Sequence, residues 1–171
     1  MLLKRLDANG WVNLVIVGTC AVMLFSTIQR IKSSDGPRSA SGAFHIGDRA
    51  EAIPKVEYNR AQRTVVMYIK STCRYCTASM PFYDRLSAAA GNTRTRIIPV
   101  SSETTEKLRQ YLDDHHVRVD QIVGGFSGKA VATPTLVVVD DRGTVRGAWV
   151  GQQRADGEKD ITSMVSNGTG L

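Results

Sequence analysis

The chain has 171 residues, enough for one domain with a substantial core and an additional segment. Its formal charge of +6 comes from Lys and Arg scattered along the sequence, and no basic run is interleaved with aromatics, which argues against nucleic-acid binding. Three cysteines are too few for a disulfide scaffold, so a folded core must be built from apolar burial alone.

The first ten residues carry Lys4 and Arg5 and read as a short N-terminal tail. Trp11 to Ile28 then contain no charged residue. Eighteen residues of helix span roughly 27 Å, about the thickness of a hydrocarbon core, and Trp11 stands where an interfacial aromatic is favoured. A cleaved signal peptide needs a small-x-small site soon after the apolar run, and Ile28 to Lys32 offer none. A lipoprotein signal at Cys20 would interrupt a run that continues through Ala21 to Phe25. The expectation is an uncleaved transmembrane anchor over 11–28, in which Cys20 is a small helix residue. The basic flanks on its two sides are too alike to fix its orientation. Residues 29–43, dense in Ser, Gly, Ala and Pro from Ser33 onward, read as a flexible linker.

From residue 44 to the C-terminus the pattern alternates. Thr64 to Ile69 form an apolar, β-branched strand, and Cys73 to Ala90 a helix stopped by Gly91-Asn92. Arg96 to Val100 are a second strand, and Glu103 to Asp114 a second helix with acidic residues in its first turn. Thr135 to Val139, a turn at Asp140 to Gly143, and Thr144 to Val150 make a hairpin. A last helix follows near Asp156 to Val165. Strand, helix, strand, helix and hairpin together predict an α/β sandwich on a mixed sheet.

Chemistry concentrates at Cys73-Arg74-Tyr75-Cys76, where the first strand passes into the first helix. A thiolate there is favoured by the unpaired N–H groups and the dipole of the helix N-terminus, and the pair can close and reopen a small disulfide. Half a zinc site has the same spacing. Its further ligands would have to come from His115-His116, adjacent residues that diverge and more simply complement a helix C-terminus, or from the isolated His45. Pro81 either kinks the helix or marks its true start. Thr133-Pro134 precedes an apolar strand, where proline is also an ordinary edge device. Arg74 either stabilises the Cys73 thiolate or is spent in solvent.

Taken together, Gly47-Asp48-Arg49-Ala50 with Pro54, the strand before Cys73, the C-x-x-C pair, Pro81, and Thr133-Pro134-Thr135 with its strand and acidic-Gly turn resemble the thioredoxin-like superfamily. The resemblance is to its membrane-anchored TlpA-like thiol–disulfide oxidoreductases of bacterial envelopes, and it covers about three quarters of the chain, from Phe44 onward. It implies that Cys73 attacks, that Cys76 resolves, and that Pro134 is cis beside the pair, with Thr133 offering its backbone to an extended substrate. It implies protein partners bearing cysteines, a redox partner in the membrane or envelope, a catalytic domain on the outer side of the cytoplasmic membrane, and no cofactor or metal. Three departures stand out. Met67 occupies the place of the buried Asp of thioredoxins, Thr72 that of the preceding Trp, and Arg74-Tyr75 that of a proline-containing pair.

Rival activities fit less well. The peroxide-binding P-x-x-x-T-x-x-C of peroxiredoxins fails in both frames, with Val66 and Lys70 before Cys73, and Ile69 and Cys73 before Cys76. A glutaredoxin needs Gly-Gly after the proline strand, whereas Gly124-Gly125 come before it. A zinc-binding or non-catalytic tethered binding module is the alternative of a different class.

Overall fold

In the computed structural model the described residues are 17–20, 23, 44–126, 128 and 132–166. Residues 17–20 and 23 are helical, while the rest of the expected anchor at 11–28 and the linker at 29–43 lie outside the described residues. Among the described residues no helix is long and apolar enough to cross a membrane.

From Phe44 onward, four strands and three helices alternate as the pattern predicts. They are β1 (Arg63–Tyr68), α1 (Arg74–Ala90), β2 (Thr95–Val100), α2 (Thr105–Asp114), β3 (Thr135–Asp140), β4 (Val145–Val150) and α3 (Ala155–Ser166), with a short 3-10 turn at Tyr58–Arg60 before β1. The sheet order is β2-β1-β3-β4. β1 runs parallel to β2 and antiparallel to β3, and β3 and β4 form the antiparallel hairpin, so the sheet is mixed. The hairpin turn is held by Asp140, whose carboxylate accepts from the amides of Arg142 and Thr144 at 3.0 and 2.8 Å and from Arg146 Nε at 2.8 Å. Gly143 takes the left-handed conformation that closes it (φ 78°).

Strand side chains alternate between two cores. Val65, Met67, Ile69, Ile97, Leu136, Val138 and Trp149 face a larger core completed by Cys76, Met80, Tyr83 and Leu86 of α1, Leu108 and Leu112 of α2, and Ile161 and Val165 of α3. Val66, Tyr68, Ile98, Val100, Val137 and Val139 face a second core, covered by Phe44, Ile53 and other residues of the segment leading into β1. Being buried on both faces, β1 and β3 read as continuous apolar runs rather than as alternation.

Three local expectations resolve here. α1 runs unbroken through Pro81, so the proline lies inside the helix and does not begin it. The helix ends at Gly91 as expected, but Gly91 is right-handed (φ −57°) and its N–H bonds back to the Ser87 carbonyl, so no left-handed cap is used. The Gly47–Ala50 motif lays its backbone beside the hairpin. Gly47 N–H donates to Val145 O at 2.8 Å, Val145 N–H to Asp48 O at 2.9 Å, and Ala50 N–H to Gly143 O at 2.8 Å. Midway along β4, Gly147 leaves room for the Trp149 indole, which any Cβ there would strike at 2.3 Å.

Candidate active site

The residues singled out at the C-x-x-C and at Thr133-Pro134 meet at one end of the sheet. β1 is central, so its C-terminal end delivers the chain between its two neighbours and into the first turn of α1. Cys73 is the N-cap of α1: its backbone is extended (φ −90°, ψ 111°), and its sulfur accepts the Cys76 amide N–H at 3.4 Å. This is the placement that aims the unpaired amides of a helix start at a sulfur. Cys73 is partly exposed, whereas Cys76, one turn on, is fully buried, and both are free thiols.

Across from the pair, the Thr133–Pro134 bond is cis. The Thr133 carbonyl accepts the Cys73 thiol at 3.3 Å, which joins two segments sixty residues apart in sequence. Pro134 is buried, and its own carbonyl accepts Gly151 N–H at 2.7 Å, which ties this turn to the end of β4.

The two thiols have opposite electrostatic surroundings. Partial desolvation raises the pKa of Cys73, but hydrogen bonds from the Cys76 and Thr133 side chains and from the Cys76 and Tyr75 amides outweigh it, and the net shift is downward. The thiol's contact with the Thr133 carbonyl favours the protonated form, and the donors still prevail. Cys76 is pushed up to about 12, first by burial and then by its hydrogen bond to Cys73. One sulfur is therefore poised to ionise at the surface, and the other is held protonated beneath it.

Arg74 is not among the groups that lower Cys73. Its guanidinium lies 4.5 Å from the centre of the Tyr75 ring and donates to the Tyr75 hydroxyl at 2.5 Å, in solvent. Of the two sequence readings of Arg74, this geometry corresponds to the exposed one. Met67 is fully buried in the same core as Cys76, so no carboxylate stands at the position where thioredoxins keep their Asp. Among the described residues no three His, Cys, Asp or Glu side chains converge into a metal-binding group. His115 instead caps the end of α2, with its ring edge-on to Tyr111 at 5.1 Å.

Two groups around the site carry no motif. Glu103 receives Ser71 N–H at 2.6 Å and Ser71 Oγ–H at 2.7 Å, and pairs with Lys107 at 2.6 Å, which clamps the loop that leads into Cys73. These donors hold its carboxyl below the ordinary range despite the opposing effect of burial. Tyr111 reaches from α2 to bond Thr77 Oγ1 at 3.0 Å, in the first turn of α1. Neither was legible in advance, since each depends on a contact between segments more than thirty residues apart. An acidic residue opening a helix is the only sequence signal that Glu103 gave.

No family model matches this chain, and no curated protein matches it either. Solved structures do. A Chlorobium tepidum protein assigned as the thiol:disulfide interchange protein DsbE is 17% identical, with a TM-score of 0.61 over 74% of this chain and 100% of its own. The thioredoxin domain of a Bacteroides vulgatus thiol-disulfide oxidoreductase is also 17% identical, with a TM-score of 0.57 over 72% of this chain and 99% of its own. A thiol:disulfide interchange protein from a Bacteroides species is 15% identical, with a TM-score of 0.57 over 72% and 91%. At these identities the likeness defines the fold: an α/β domain of the thioredoxin-like class on a mixed four-stranded sheet.

Proposed function

We propose that this chain is a thiol–disulfide oxidoreductase that exchanges its Cys73/Cys76 dithiol and disulfide with cysteine-bearing protein substrates. The observation that carries the reading is the asymmetric pair facing Thr133: a partly exposed Cys73 with a lowered pKa at a helix N-terminus, and a buried Cys76 with a raised one. The Cys73 thiolate attacks a substrate disulfide, one substrate sulfur leaves, and a mixed disulfide forms. Cys76 then attacks Cys73 and releases the second substrate sulfur as a thiol. Two electrons pass from the dithiol to the substrate, and the reverse sequence oxidises a substrate dithiol. Thr133 would pair its backbone with an extended substrate segment as an added strand, with Pro134 fixing the turn. The names of the structures similar in fold agree with this chemistry.

The apolar run at 11–28 would anchor the domain in the cytoplasmic membrane, with the catalytic face outside and a membrane or envelope protein as its redox partner. Length and the lack of a nearby cleavage motif support this reading. The direct test of function is Cys76→Ala, which leaves any mixed disulfide on Cys73 unresolved. Mass spectrometry of the trapped species should identify linked proteins, and a variant that traps nothing would overturn the proposal. N-terminal sequencing of the native protein tests the anchor: a start beyond residue 38 would refute it.

A further inference from the structure

The resolving step requires Cys76 to lose a proton inside an apolar core with no carboxylate at Met67 to help it. One polar atom in that core has no evident purpose. Tyr83 is 1% exposed, and its hydroxyl has no hydrogen-bond partner. Ser79 faces it, but the Ser79 hydroxyl donates to the Tyr75 carbonyl at 2.8 Å. A buried unpaired hydroxyl is costly, and phenylalanine would fill the same space without it.

The position of Tyr83 suggests what the hydroxyl is for. Cys76, Met80 and Tyr83 follow at i, i+4 and i+7 on the buried stripe of α1. Long helical side chains lie back toward the N-terminus, which carries the Tyr83 hydroxyl up the stripe to the level of Ser79 and into electrostatic range of Cys76. Tyr111 enters the same place from α2, and its hydroxyl is already engaged by Thr77. Burial raises the Tyr83 pKa, the nearby Ser79 hydroxyl offsets part of that, and the charges of Cys76, Tyr111 and Cys73 raise it further, so the net shift is upward and the phenol stays a donor throughout the working range.

We infer that Tyr83 is a positioning residue whose hydroxyl donates a hydrogen bond to the Cys76 sulfur as that sulfur becomes a thiolate, in place of the missing buried acid. This rests on the thiol–disulfide reading above. Cys76 gives up its proton, its sulfur bonds to Cys73, the Cys73–substrate bond breaks, and the departing sulfur takes up a proton from solvent. The Tyr83 proton stays on oxygen. The titratable groups facing this point are Cys73 and Cys76 on α1, Tyr111 on α2, and Glu103 just before α2, whose charge reaches Tyr111. Residues contributed to this core by β1 and α3 are apolar.

The test uses the full-length chain with glutathione disulfide as the probe, and follows Cys73 attack and Cys76 resolution separately from pH 7 to 9. A hydrogen bond to a charged group is worth about one pH unit, which after the compensating gain in nucleophilicity leaves roughly a three- to fourfold change in rate. Tyr83→Phe should slow resolution by that factor, leave Cys73 attack unchanged, and keep or raise the denaturation midpoint. Incorporation of 3-fluorotyrosine at 83, a stronger donor of the same shape, should speed resolution, and it decides the matter should Tyr83→Phe fail to fold. Resolution rates equal to wild type in either folded variant would overturn the role. Failure of the wild-type chain to complete exchange would instead count against the oxidoreductase reading, and the Cys76 alkylation rate in Tyr83→Phe would still decide the hydrogen bond.

Discussion

The asymmetry of the cysteine pair should be directly visible as a difference in alkylation. Cys76 is pushed up from the ordinary 9.0 to about 12, about three units above an unperturbed thiol, and Cys73 is shifted the other way. At neutral pH that leaves Cys76 with about a thousandfold less thiolate than an unperturbed thiol, while Cys73 has more. The gain is partly cancelled, because a more acidic thiol makes a weaker nucleophile. With a Brønsted coefficient of 0.4–0.5, three units return a factor of about 16 to 32. Cys73 should therefore react about 30- to 60-fold faster, and the burial of Cys76 widens the gap. The assay is iodoacetamide labelling of the reduced wild-type chain, with each cysteine followed by peptide mass spectrometry. Wild type is essential, since deleting either cysteine removes a hydrogen bond that shifts the other. Below the Cys73 pKa its rate should fall tenfold per pH unit. Equal rates, or faster labelling of Cys76, would refute both the electrostatic argument and the assigned roles.

Other perturbations test the surroundings of the pair. Glu103→Ala should destabilise the domain by about 2–4 kcal/mol, since it takes away the carboxylate that accepts the Ser71 N–H and hydroxyl and leaves both donors unpaired; the half-exposed Lys107 pair adds little. Because the folded-state pKa of Glu103 is depressed, its contribution is present above the unfolded carboxyl value and is lost as pH falls through the folded one. Urea midpoints of wild type and Glu103→Ala should therefore converge in acid, and a constant gap down to pH 2 would contradict the clamp. Arg74→Ala should leave the pH profile of Cys73 alkylation within about 0.3 unit of wild type, because the guanidinium is turned onto Tyr75 in solvent. A shift of a full unit would place the arginine on the sulfur instead. Gly147→Ala should cost about 1–3 kcal/mol in denaturant unfolding, since its Cβ would fall 2.3 Å from the Trp149 ring.

Much of this domain was legible in the chain before any coordinates. Every strand and helix from β1 to α3 lies within two residues of its expected position, because period-2 and period-3.6 burial, capping residues and turn glycines are local signals. The place of the C-x-x-C at a strand-to-helix turn was legible too, and Cys73 is the N-cap of α1. What the tertiary structure decided is everything that depends on distant segments meeting. Local sequence left Pro134 open between a cis turn and an edge device, and the fold sets it cis with Thr133 O on Cys73. Arg74 was open as well, and there the answer is local: its exposed guanidinium lies on the ring of its neighbour Tyr75. Glu103 on Ser71 and Tyr111 on Thr77 follow no spacing rule, and neither does the unpaired hydroxyl of Tyr83, because burial and partnership are properties of the assembled core. The sequence by itself singled out Cys73 and Cys76 as the pair at the strand-to-helix turn. The packed fold decided which sulfur ionises, because desolvation and hydrogen bonding act across chain segments that only folding brings together.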